Sequence, residues 1–209
     1  MKKVILILLL FISVCSYSQT VMIKHTNYTT VYDTVKHYPV FVEWWLTKAK
    51  IGCKTPADRV NSFAPDPTWK KQTDMNKYYI SSGFDRGHMC DDKDNLCQGP
   101  EVQKECFYFS NMAPQYHVLN AGSWKRLEMQ CRKLALNYDS VHIWAGSMGS
   151  IKTIGKLTIP KQCWKVIYIL KSKEFHAYLY VNSLDDSINQ KPEVTVSYIE
   201  QLTGFKFNP

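Results

Sequence analysis

Phe84-Asp85-Arg86-Gly87-His88-Met89 and, further along the chain, Leu119-Asn120-Ala121-Gly122-Ser123-Trp124-Lys125-Arg126-Leu127-Glu128 bracket the stretch that decides how this sequence is read. Imidazole can take a proton from water near neutral pH. A neighbouring guanidinium can grip a phosphate with a planar fork. An asparagine at the mouth of a charged amphipathic helix offers a neutral carbonyl oxygen to a hard cation such as Mg²⁺, which prefers oxygen ligands and keeps several waters. Together these residue types point to metal-assisted phosphodiester cleavage.

The intervening residues carry a further motif, Asn111-Met112-Ala113-Pro114-Gln115. Asp85-Arg86-Gly87-His88, then Asn-x-x-Pro-Gln, then Leu119-Asn120-x-Gly122-x-Trp124 and Leu127-Glu128 form four linked motifs in one order, and in this the chain resembles the DNA/RNA non-specific endonuclease family. The resemblance covers roughly Val40 to Gly204. It implies an α+β fold, with a central antiparallel sheet flanked by helices and a ββα-metal finger as active site. His88 would lie on the finger's hairpin and Asn120 on its helix. It also implies roles: His88 as general base, Asn120 as the protein ligand of Mg²⁺ (with Mn²⁺ able to substitute), and Arg59, Arg86 and Arg132 neutralising the phosphate. Glu128 would order metal-bound water or Arg132, Asn111 and Gln115 would support the site, and Asp85 would brace the hairpin. The implied substrates are DNA and RNA, cut without sequence preference to leave 5′-phosphate and 3′-hydroxyl ends.

Several of these residues have a plainer reading. Arg59 also reads as a solvated loop residue, Asn120 as a helix N-cap, and Glu128 with Arg132, four apart, as an exposed ion pair of little worth. The sequence also departs from the family after His88. Where relatives continue with a proline and small residues, this chain has Met89-Cys90-Asp91-Asp92-Lys93-Asp94. Extra carboxylates there would repel a phosphate or recruit another cation.

The 209 residues suit one domain, and 45% hydrophobic and 13% aromatic content is enough to bury a full core. Met1-Lys2-Lys3, the apolar run Val4–Val14 and small residues before Gln19 read as a secretory signal peptide over residues 1–18, leaving one nuclease domain over 19–209. A membrane anchor is the rival, but the run is shorter than the ~20 residues a spanning helix needs. Lipidation at Cys15 ranks below simple cleavage, because Val14 is a poor match before it. Export implies a secreted or periplasmic protein with no membrane contact once residues 1–18 are gone. The remainder holds 24 basic and 18 acidic residues, a net charge of +6, and six of the seven cysteines. Positive charge suits a polyanion. An even cysteine count in an exported protein suggests up to three disulfides, their pairing open. Zinc at His88, Cys90 and Cys97 is the alternative, weakened by the lack of a Cys-x-x-Cys pair. A homodimer is left open. The rival to an enzyme is a non-catalytic, disulfide-stapled module that binds anionic polymers.

Along the chain, Tyr28–Tyr32, Tyr38–Leu46, Val141–Ala145, Trp164–Leu170 and Phe175–Val181 read as strands. Tyr78–Met89 reads as strand, turn, strand, and Phe107–Ser110 as a short strand. Cys90–Glu105 reads as a polar loop. Trp124, Leu127, Cys131, Leu134 and Tyr138 recur at helical spacing. Ser197 with Glu200 reads as a capping box, and Gly204 as the stop of a final helix. The five other histidines, at 25, 37, 117, 142 and 176, read as surface or core residues.

Overall fold

Two of the apolar runs, Val141–Ala145 and Trp164–Leu170, show no polar alternation, as expected of strands covered on both faces. The computed structural model describes residues 20–69 and 74–209, so the expected signal peptide lies outside the described residues. In order the chain forms β1 (Thr20–Lys24), β2 (Thr29–Asp33), β3 (Tyr38–Thr47), α1 (Lys48–Ile51), α2 (Asn76–Tyr79), β4 (Phe84–His88), α3 (Pro100–Glu105), β5 (Met112–Tyr116), α4 (Lys125–Tyr138), β6 (Ser140–Met148), β7 (Lys152–Ile154), β8 (Leu157–Ile159), β9 (Gln162–Ile169), β10 (Glu174–Val181), β11 (Glu193–Val194) and α5 (Val196–Thr203). Seven of the strands make one sheet in the order β1-β2-β3-β6-β9-β10-β11. Every neighbouring pair in it is antiparallel.

Alternation across the pleat sends side chains to two separate cores. Val42, Trp44 and Leu46 of β3, Val141 and Ile143 of β6 and Ile167 of β9 meet Trp124, Leu127, Cys131 and Ala135 on one face. On the other, Trp144, Trp164 and Val166 pack with Ile199 of α5 and with Phe205 and Phe207 of the C-terminal tail. The apolar stripe of α4 thus faces the sheet as its spacing predicts. The expected α+β architecture, a central antiparallel sheet with helices beside it, is the one found.

The local corrections all concern short elements. Tyr78 and Tyr79 end α2 rather than starting a strand. The Phe107–Ser110 run enters a 3₁₀ turn over Phe109–Asn111, and the strand is β5, one step later. The segment expected as a polar loop contains a 3₁₀ turn, Asp92–Asn95, and α3. Helix α5 is capped by Thr195, whose hydroxyl accepts from the Tyr198 backbone N–H, and not by Ser197. Glu200 instead accepts from Lys206 and from the Phe207 backbone N–H, fixing the tail. Gly204 does end this helix, at φ +75°.

The cysteines need a larger correction. Among the described residues there is one disulfide, Cys53–Cys97, while Cys90, Cys106, Cys131 and Cys163 are buried thiols. Cys131 on α4 and Cys163 on β9 are ordinary core residues, which is how a free cysteine commonly behaves. Cys90 and Cys106 receive hydrogen bonds from the Asn95 side-chain amide. The zinc alternative fails as well. Cys97 is consumed by its bridge, and no group of three or more His, Cys, Asp or Glu among the described residues is arranged to hold a metal.

Thiol counting tests this arrangement. Denatured without reductant, residues 20–209 should give four reactive thiols, and the folded protein almost none. The bridge closes a loop of 44 residues, which is worth about 4 kcal/mol by loop-closure entropy. Cys97→Ser should therefore lower the melting free energy by a few kcal/mol, whereas Cys163→Ser should leave the Cys53–Cys97 bridge in place.

Candidate active site

β4 pairs with β5 in a small separate ladder, with His88 opposite Met112 and Gly87 opposite Ala113. Period-2 alternation gives the ladder two faces. Phe63 touches both Arg86, at 5.1 Å from the guanidinium to the ring, and His88, at 5.8 Å between centroids, so these two share a face. Gly87 faces Gln115, and a Cβ there would lie 2.1 Å from the Gln115 Oε1 atom. Only glycine lets β4 approach so closely. Gln115 is fully buried and donates to the Cys163 sulfur. Asn111 is fully buried too. Its amide donates to the Cys90 and Cys106 carbonyls and its oxygen accepts from the Cys90 N–H. Both residues therefore lie beneath the site and shape its backbone.

Asn120 enters on a wide turn, Leu119–Trp124, that precedes α4. It does not cap the helix: its amide donates to the Asp85 carboxylate at 2.9 Å, and its carbonyl oxygen takes no hydrogen bond from the described residues. Asp85 also takes the His117 ring at 2.8 Å. Asp186, sixty-odd residues away in sequence, accepts from the Ser123 N–H at 3.0 Å and the Ser123 hydroxyl at 2.7 Å, supplying the cap that local sequence lacks. The Trp124 indole N–H then donates to the His88 carbonyl at 3.0 Å, joining helix to ladder.

The result is a cleft of about 230 Å³ into which His88, Asn120, Glu128, Arg59 and Arg132 all face. A larger cavity of about 630 Å³ lies on the other flank of α4, between Arg126, Gln130 and Tyr178; Ser123 and Leu127 reach it, but His88, Asn120 and Glu128 do not. Chemistry therefore belongs with the smaller cleft. His88 is 7% exposed, and its Nε2 has no hydrogen-bond partner among the described residues. Burial drives its pKa down to about 4, with Arg59 acting in the same direction against Asp91. The imidazole is thus neutral at pH 7.

Arg86 does not line the cleft. Its guanidinium lies between the Phe63 and Tyr79 rings, 5.1 Å from each, and donates to the Asn76 side-chain oxygen. Arg59 and Arg132 do line it, and both are already paired. Arg59 donates to Asp92 at 2.7 Å. Arg132 donates to Asp91 and, at 3.1 Å, to Asp94. The sequence suggested neither partnership; the expectation paired Arg132 with Glu128.

These carboxylates are buried beside one another, and their proton affinities split accordingly. Burial and then Asp91 push Asp92 up to about 7 and Asp94 up to about 6. Burial would raise Asp91 too, but the charge of Arg132, its hydrogen bond and the neighbouring His88 and Asp92 together hold Asp91 below its usual range. Burial and the charge of Asp91 raise Glu128 well above its normal value. Beneath them Lys165, 1% exposed, rests 4.4 Å from the centre of the Trp124 ring, and its charge pulls both Asp94 and Glu128 back toward ionisation. Such a buried lysine within an apolar strand gave no signal in the sequence.

The donor set fits one kind of cation. A single free amide oxygen held by Asp85, next to a polar cleft, suits a hard ion that keeps most of its water; it does not suit a cage of protein ligands.

The model of the DNA/RNA non-specific endonuclease family matches residues 10–209. Mouse "Nuclease EXOG, mitochondrial" is 31% identical over 89% of the chain, and a nuclease of Nostoc sp. is 31% identical over the same share. The chain spans 56% of the mouse protein's length and 72% of the Nostoc protein's. A chain in the crystal structure of the EndoG/EndoGI complex superposes with a TM-score of 0.78, covering 89% of this chain and 84% of that one at 24% identity, a likeness of fold. With three of the motifs meeting in one cleft, the fourth lying beneath it, and the family model spanning nearly all of the sequence, the chain belongs to the DNA/RNA non-specific endonuclease family.

Proposed function

We propose that the protein is a secreted, Mg²⁺-dependent endonuclease that hydrolyses the phosphodiester bonds of DNA and RNA without regard to sequence. The observation that carries this reading is the unpartnered Nε2 of a buried, neutral His88 in the same cleft as the free oxygen of Asn120. Asn120 would hold Mg²⁺, or Mn²⁺ in its place, and the bound ion would supply Lewis-acid stabilisation of the phosphate and leaving oxygen. His88 removes a proton from water as the water oxygen bonds to phosphorus. The bond to O3′ breaks, and that oxygen takes a proton from solvent, which leaves 5′-phosphate and 3′-hydroxyl ends. Arg59 and Arg132 reach the phosphate as charge builds on it, Glu128 orders water in the cleft, and Asp85 keeps Asn120 in its rotamer. Arg86 serves best as a brace for β4, since its guanidinium is taken up by the Phe63 and Tyr79 rings and Asn76 rather than turned to the cleft. Binding through phosphates alone is blind to sequence. Export is supported by the Cys53–Cys97 bridge, because disulfides persist in oxidising compartments.

Supercoiled plasmid provides the test. Nicking should require added Mg²⁺ or Mn²⁺, stop in chelator and return with excess ion. The ends should be ligatable without phosphatase or kinase treatment. Undiminished cutting in chelator, or 3′-phosphate ends, would contradict the mechanism, and binding without cutting would favour a non-catalytic polyanion module. Asn120→Ala should lose about a hundredfold or more in rate, the scale of removing one group that stabilises a transition state. Its stability cost should be that of a single charge-assisted hydrogen bond, roughly 1–3 kcal/mol.

The pH dependence follows from burial of His88. Protonation removes the base, so kcat/KM should fall as pH drops through about 4 and should not fall near 6.5, where an exposed histidine would titrate. A limb at 6.5 would mean that His88 is solvated in the working enzyme.

A further inference from the structure

The arginines that face the cleft are each held by a carboxylate of the protein itself. Arg59 Nη1 donates to Asp92 Oδ1 at 2.7 Å, while its Nε donates to Asn61. Arg132 Nη1 donates to Asp91 and Asp94. A carboxylate and a phosphate use the same face of a guanidinium, through the same pair of charge-assisted hydrogen bonds. The carboxylates are not free to swing into water. Asp91, Asp92 and Asp94 are all buried, Asp91 also accepts from the Lys93 N–H, and Asp94 accepts from the Trp44 indole at 3.0 Å. The segment is anchored at its far end by the Cys53–Cys97 bridge, which also restrains the loop that carries Arg59. A hydrogen bond from the Ala57 N–H to the Leu96 carbonyl, 2.8 Å, joins the two directly. Across the cleft Arg59, Lys93, Lys125 and Arg132 stand among Asp91, Asp92 and Glu128.

We propose that Asp91 and Asp92 are internal stand-ins for the substrate phosphate, so that phosphodiester binding is an exchange in which the backbone phosphate displaces a carboxylate from its arginine. Asp92 is the one exchanged first. Its partner Arg59 has a side chain 44% exposed and one carboxylate, whereas Arg132 is 16% exposed and has two. The two aspartates therefore set how tightly the protein grips nucleic acid, and they hold that grip below what its arginines could give. This inference rests on the nuclease reading, because it takes nucleic acid as the competing anion.

The test is binding of a short DNA duplex, followed by fluorescence anisotropy across a series of NaCl concentrations. Both proteins carry His88→Ala so that cleavage does not intrude, and one carries Asp92→Asn in addition. At pH 8, above the Asp92 pKa of about 7, asparagine keeps the shape and still accepts from Arg59 but removes the competing charge. The variant should bind about tenfold more tightly at low salt. Its slope of log K against log salt should steepen by roughly 0.9, the value of one additional phosphate contact. A merely structural aspartate would not move that slope. Unchanged affinity and slope, or weaker binding, overturns the proposal.

Asp91→Asn gives the same readout through Arg132, and a thermal melt of each variant reports its fold. A measurement that needs no substitution keeps the question open to refutation if both variants unfold. In the unaltered sequence the Asp92 carboxyl ¹³C resonance should shift as a thymidine dinucleotide is added, and a signal that stays fixed through saturation sinks the exchange. Tighter binding by the variant alongside an unaltered chain that never nicks plasmid would uphold the exchange and dismiss the nuclease. Nicking by the unaltered chain with no gain in the variant would do the reverse.

Discussion

The hydrogen bond from the Trp124 indole to the His88 carbonyl is the join on which the active region depends. It closes the angle between the β4–β5 ladder and α4, two elements that share no strand pairing, and so brings the imidazole and the asparagine into one cleft. Trp124 is fully buried, so losing that bond would strand a buried carbonyl at a cost of about 1–3 kcal/mol. The same ring receives Lys165 on its face. One side chain thereby fixes the geometry of the site on its edge and seats a buried cation beneath it. Asp186 performs the complementary task at the start of the helix, by tying Ser123 to the turn before β11.

Burying this many charges is possible only because they are paired or protonated. Asp91 keeps its charge through Arg132, while Asp92, Asp94 and Glu128 hold their protons more tightly than free carboxylates do. His88 goes the other way and gives its proton up, for the same reason of burial. Groups driven apart in proton affinity within one cleft mark a site that handles protons. Here a neutral imidazole lies among carboxyl groups that hold protons more tightly than it does.

Much of this was legible in the sequence. Long strands announced themselves by apolar runs, and α4 by its stripe of Trp124, Leu127 and Cys131, because burial against a sheet writes a period into the chain. The motifs located the cleft, since His88 and Asn120 need fixed neighbours such as Gly87 and Asp85. What was illegible came from contacts distant in sequence. The partners of Arg59 and Arg132, the Asp186 cap and the placement of Lys165 leave no local pattern. The cysteine count misled for a related reason: parity says how many bridges could form, whereas the fold decides which sulfurs meet, and among the described residues only those of Cys53 and Cys97 are joined. Short elements such as α2 failed because four residues carry too little periodicity to separate a helical turn from a strand.

The central claim is that His88 is the base. Chemical rescue addresses it most directly: a His88→Ala protein is assayed for plasmid nicking with and without added imidazole, beside the unaltered chain. The account predicts a loss of about 10²–10⁴-fold, the usual worth of positioned acid–base catalysis, with part of the rate returning as imidazole is added and DNA binding retained throughout. Near-normal nicking by the variant, or a loss that imidazole does not touch while DNA binding disappears, would contradict it.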